Sequence, residues 1–145
     1  MLAPSRIAAA LLAAACLLAG CAGEESWLTA RLVDDRLTLE IGGQCGPGSY
    51  LSRLRVTTTD ARVLWEVSQE RPPQATPTVT FGSVPPGFRE ETPVADASGT
   101  VLVFLDTNFS YVATVDTGAL RDGHDRQYSP QPVWNEHSAV HPERC

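Results

Sequence analysis

From Leu28 onward the chain reads in steps of two. Leu28, Ala30 and Leu32 alternate with Thr29 and Arg31, and Leu37, Leu39 and Ile41 alternate with Thr38 and Glu40. Successive side chains of a strand point to opposite faces, so this alternation predicts two half-buried strands. Asp34-Asp35 between them predicts a tight antiparallel hairpin. A second hairpin follows. Tyr50, Ser52, Leu54 and Val56 alternate with Arg53, Arg55 and Thr57, and Val63, Trp65 and Val67 repeat the period beyond the turn at Thr59-Asp60. A short strand is expected over 78–82. The most apolar stretches of this part of the chain, 99–105 and 109–115, predict a central hairpin with Val101, Val103 and Leu105 on one face and Tyr111, Ala113 and Val115 marking the partner. No helical period intervenes, so the expected class is all-β with about seven strands.

The punctuation agrees with that reading. Pro72-Pro73 and Pro77 predict an extended crossover, and Val84-Pro85-Pro86-Gly87-Phe88 a proline-bound turn. Gly42-Gly43 and Gly46-Pro47-Gly48 bracket Cys45 in a loop that could be mistaken for a phosphate cradle. No helix pattern follows it and the chain contains no Lys, which excludes a P-loop. After Thr117 the chain turns polar. This stretch is expected to be a long loop that either supplies a final edge strand near 132–134 or wraps over a sheet.

Trp65-Glu66-Val67, Thr80-Phe81-Gly82 and Val84-Pro85-Pro86-Gly87-Phe88 together form a pattern that resembles small, mostly uncharacterised bacterial lipoproteins with an immunoglobulin-like or fibronectin-like domain. The resemblance covers roughly residues 63–116. It implies a single antiparallel immunoglobulin-like β-sandwich and brings no catalytic residues with it. The tail after Thr117 and the cysteines at 45 and 145 depart from the pattern.

A different signal occupies the N-terminal region. Arg6 precedes an apolar run over 7–19, the layout of a secretory signal helix, and the run falls short of the ~20 apolar residues that span a bilayer. Leu18-Ala19-Gly20-Cys21 at its end resembles the lipobox of bacterial lipoproteins. The resemblance implies cleavage before Cys21, a diacylglycerol thioether on its sulfur, and acyl chains of the palmitate kind holding the protein to a membrane. The alternative is an ordinary secretory signal cut nearby without lipid. The expected organisation is a signal peptide over 1–20, a tether over 21–26 and one β-sandwich domain over 27–145. The expected location is the cell envelope, on the outer side of the cytoplasmic membrane or on the outer membrane. Ala22, following the cysteine, is compatible with the latter under the family's sorting rules.

Charge and chemistry narrow the function classes. Loss of residues 1–20 removes only Arg6, moving the formal charge from -6 to -7. An acidic chain lacks the basic patch that nucleic acid or an anionic lipid surface requires. Cys16 goes with the signal and Cys21 takes the lipid. Cys45 and Cys145 are then expected to form one disulfide in an oxidising compartment. All three histidines, His124, His137 and His141, lie in the tail beside Asp122, Asp125, Glu136 and Glu143. On a helix His137 and His141 would share a face suited to zinc or copper, but Pro142 disfavours helical angles at His141, and surface histidines are the plainer reading. No Gly-x-Ser-x-Gly elbow or nucleotide fingerprint occurs. Trp65, Phe81 and Tyr111 either fill the core or line a ligand slot. The expectation is a non-enzymatic, cofactor-free, lipid-anchored module that binds an envelope protein or polymer, with an envelope metal-binding lipoprotein as the alternative.

Overall fold

The computed structural model describes residues 26–42, 51–69, 76–107 and 110–133. The signal segment, Cys21, Cys45, Cys145, His137 and His141 lie outside them. Among the described residues ten strands form two antiparallel sheets. They are β1 (Leu28–Val33), β2 (Arg36–Ile41), β3 (Arg53–Thr58), β4 (Val63–Gln69), β5 (Thr78–Thr80), β6 (Phe88–Thr92), β7 (Thr100–Asp106), β8 (Ser110–Asp116), β9 (Arg126–Tyr128) and β10 (Gln131–Pro132). One sheet runs β5-β2-β1-β9 and the other β10-β8-β7-β3-β4-β6.

The apolar member of each alternation turns inward. Leu28, Ala30, Leu39 and Ile41 of the smaller sheet face Leu54, Val56, Val103 and Leu105 of the larger, all at most 2 % exposed. Burying two such faces against each other is what makes a sandwich the stable arrangement. Seven strands carry the frame: β1 and β2 pair, the chain crosses to β3 and β4, β5 returns beside β2, β7 returns beside β3, and β8 pairs with β7. This is a Greek-key order in a β-sandwich. The number of frame strands agrees with the sequence pattern.

The three remaining strands are additions. β6 extends the larger sheet beyond β4, and its Arg89, Glu90 and Glu91 put charge on an open edge, a device that discourages pairing with other chains. After β8 the chain passes over the end of the sandwich in a short 3-10 helix, Ala119–Asp122, whose Leu120 is fully buried. It then lays β9 against β1, turns at Ser129-Pro130, and lays β10 against β8. The tail thus holds an edge strand at 131–132, beside the position expected from sequence, and another at 126–128 that its polar composition concealed.

One alternation breaks. Val56 pairs with Trp65 but the neighbouring Thr57 pairs with Val63, leaving Leu64 as the extra residue of a β-bulge. Leu64 and Trp65 are therefore both buried while Val63, expected inside, is half-buried. The bulge also turns the Leu64 carbonyl toward Ala95, whose N–H donates to it at 2.7 Å.

Candidate functional site

The two ends of the sandwich differ. At one, Trp27 precedes β1, Gly42 N–H donates to the Trp27 carbonyl at 2.7 Å, and the Trp27 ring meets Tyr111 edge-on at 5.0 Å, joining the sheets. At the same end Ser52 N–H bonds the Asp106 carbonyl, Gln69 N–H bonds the Ser52 carbonyl, and Val133 N–H bonds the Ser110 carbonyl. The other end is formed by the Asp34-Asp35 tip, the 81–87 turn, the 93–99 segment and the 117–125 segment. With β1 six residues long, the ends are separated by roughly 20 Å.

The Asp34 end contains a cleft of about 300 Å³ between the sheets. Leu32, Leu37 and Phe81 form one wall, contributed by β1, β2 and the residue after β5. Val94, Ala95 and Ala97, on the segment linking β6 to β7, form the other. Asp35, Arg36 and Asp96 sit on the lining, with Asp34 adjacent in sequence to Asp35. The wall is held in place. Phe81 N–H donates to the Leu37 carbonyl at 2.8 Å, and Phe81 packs on buried Trp65 with ring centroids 5.5 Å apart. Thr117, also on the lining, donates both its N–H and its hydroxyl to the Gly99 carbonyl. Gly82 has φ +77, and a Cβ there would stand 3.2 Å from Val94 Cγ2, so glycine is required both for the turn and for the approach of the two walls.

A larger hollow, about 400 Å³, lies at the Trp27 end between Ser26, Glu40, Gly42 and Pro77. Its lining carries Ser26, Thr29, Glu40 and Thr78, whereas the Asp34-end cleft carries Leu32, Leu37, Phe81 and Val94 and is the better candidate for a site that receives an apolar group.

The residues singled out by sequence distribute as follows. Trp65 is core, Phe81 is half-buried against the core and lines the cleft, and Tyr111 stands at the opposite end with Trp27. Arg53 is the solvated group expected on an outer face, 3.6 Å from Glu66 and 4.0 Å from Asp106. Arg55 departs from that pattern: it lies over the Phe104 ring at 4.9 Å, half-buried, and its Nε has no hydrogen-bond partner among the described residues. His124 is exposed at the Asp34 end, its N–H donating to Asp122 Oδ1 at 2.9 Å. This bond, with Arg126 beside it, holds the Asp122 carboxyl below the usual range. The tail bearing His137 and His141 leaves Val133 at the other end, and among the described residues no group of three metal-binding side chains occurs. The cleft itself escaped the sequence reading. Its one local sign was Asp34-Asp35, read only as a turn.

No protein-family model matches the chain, and neither a curated protein nor a solved structure is significantly similar to it.

Proposed function

We propose that this is a lipid-anchored cell-envelope protein whose β-sandwich works as a non-catalytic binding module, turning its Asp34 end away from the membrane toward an envelope protein or polymer. The reading rests on the lipobox-like Leu18-Ala19-Gly20-Cys21 and on one geometric observation: the strand that follows it begins at the end of the sandwich opposite the cleft. Four residues lie between Cys21 and Ser26, so the five steps from one to the other reach at most about 18 Å. Two or three acyl chains on Cys21 would hold the protein durably, since each buried methylene contributes about 0.8 kcal/mol. The Trp27 end is then the near side and the cleft the presented side.

The test is fractionation of cells producing the full chain, with intact-mass analysis of its N-terminal peptide. The expected result is a diacylglycerol-modified Cys21 in the membrane fraction and loss of both mass and fractionation in Cys21→Ser. Unmodified protein in the cytosol, or a Cys21→Ser variant that fractionates like the parent, overturns the reading.

A further inference from the structure

Three of the four exposed large hydrophobic residues of the described chain belong to the Asp34 end: Val33 at 44 %, Val84 at 42 % and Val94 at 50 %. Val94 is on the cleft wall itself. An exposed apolar side chain on the lining of a preformed cleft is the arrangement expected of a site that receives an apolar group.

The carboxylates say what accompanies that group. Nearly every described acid is engaged. Glu40, Glu66, Glu91, Asp106, Asp122 and Asp125 stand in ion pairs. Asp60, Glu90 and Asp116 accept hydrogen bonds. Asp34, Asp35 and Asp96 do neither among the described residues; Asp35 and Asp96 line the cleft, and Asp34 precedes Asp35 in the turn. Arg36 offsets one of these charges. The surplus is negative, it borders an apolar opening, and it is left without an intramolecular counter-charge.

We infer that the cleft takes an apolar side chain of a protein partner flanked by Lys or Arg. The apolar group enters between Phe81 and Val94, and the flanking cations meet Asp34, Asp35 and Asp96. Charge complementarity selects this occupant over the others. A second copy of the chain would bring a like net charge, and an anionic polymer or lipid would be repelled by the same three carboxylates. The volume suits one or two side chains, which is the scale of an interface anchor. The inference rests on the binding-module reading and names the chemistry of its ligand.

The experiment is a titration of the isotope-labelled full chain in nanodiscs, followed by amide NMR, with the peptides Arg-Leu-Arg, Arg-Gly-Arg and Glu-Leu-Glu, each blocked at both ends. Shifts for Arg-Leu-Arg are expected to cluster at 32–37, 81–84 and 94–97, with Arg-Gly-Arg and Glu-Leu-Glu at least fivefold weaker. Affinity should fall at least fivefold between low salt and 0.5 M salt, because exposed charges are screened within about 3 to 5 Å there. Asp35→Asn combined with Asp96→Asn should weaken binding at least fivefold, and asparagine tolerates the Asp35 backbone angle, so the fold is retained. Equal response to the three peptides, indifference to the carboxylate variants, or cleft shifts that grow with protein concentration before peptide is added would each overturn the inference. The intact mass of the same sample reads lipidation independently, so an unlipidated chain that binds Arg-Leu-Arg faults only the anchoring proposal.

Discussion

Trp65 Nε1 donates to Glu90 Oε1 at 2.9 Å, so the largest fully buried side chain of the core is tied by its one polar atom to the charged edge strand β6. A buried indole without a partner would leave a donor unsatisfied. Trp65→Phe removes the donor and part of the ring that meets Phe81. It is expected to cost about 2 to 3 kcal/mol in urea unfolding. Glu90→Gln keeps an acceptor and should cost less than about 1 kcal/mol. If both variants unfold alike, the bond does not hold the ring.

The Asp34-Asp35 tip has φ 51 and 60 at its two residues, the left-handed angles of a two-residue hairpin turn. Glycine adopts these angles without the Cβ penalty. Asp35→Gly is therefore expected to stabilise the fold by about 0.5 to 1 kcal/mol, seen as a higher thermal midpoint, while weakening the Arg-Leu-Arg complex. The two effects have opposite signs in one variant. A lower midpoint would show that the aspartate contributes more to the turn than its backbone strain costs.

Gly82, Gly87 and Gly99 all have positive φ, but only at Gly82 would a Cβ crowd a neighbour. Gly87→Ala and Gly99→Ala should each cost about 1 kcal/mol for the backbone alone. Gly82→Ala should cost more, and Val94→Ala in the same chain should recover the difference, because it removes the Cγ2 that the new Cβ meets. A double-mutant cycle on denaturant midpoints reads this directly. Additive losses would mean the walls can part without cost.

Stability should decline as pH falls from the ordinary carboxylate range through the lower folded values of Glu91 and Asp60. Hydrogen bonds from Ser68 and from Arg89 hold the Glu91 carboxyl below its usual value, and a bond from Thr58 does the same for Asp60. A carboxylate whose folded value is depressed contributes stability that is present above the unfolded value and lost as pH falls through the folded one. Ser68→Ala should therefore flatten the acid limb of a stability–pH curve. At the alkaline side burial, with Asp116 nearby, pushes the Tyr128 phenol up, so folding favours its neutral form. Stability should fall as pH rises through the tyrosine range, and Tyr128→Phe should remove that fall.

The strands were legible where one face is buried and the other wet, since burial then imposes a strict period of two. β6 and β9 carried no such mark. In β6 the sequence Phe88–Thr92 has three charges in a row, and in β9 Arg126–Tyr128 has a single apolar ring; both sit at sheet edges, where pairing asks little of side chains. The inversion at Leu64 was hidden because a bulge is set by the partner strand. The cleft was illegible for a further reason: Leu37, Phe81, Val94 and Thr117 are brought together only by the Greek key.

The proposed pairing of Cys45 with Cys145 lies outside the described residues, yet both ends of the chain that carry them, Gly42 and Val133, leave from the Trp27 end. A bond there closes a loop of 101 residues, worth about 4 to 5 kcal/mol by chain entropy before strain. Peptide mapping without reductant should recover the two cysteines as one linked species, and Cys145→Ser should lower the unfolding midpoint. Two alkylatable thiols in native protein would refute the pairing.

The 117–133 segment visits the smaller sheet as β9 and the larger as β10 within a few residues. It acts as a clasp on one flank of the sandwich. To pry the layers apart there, two backbone ladders must be unzipped together, whereas on the opposite flank, with β5 at the edge of one sheet and β6 at the edge of the other, the contact of Trp65 with Phe81 bridges the layers. Breathing of the two layers should accordingly begin on the aromatic flank, beside the wall of the cleft, leaving the clasped flank as the hinge.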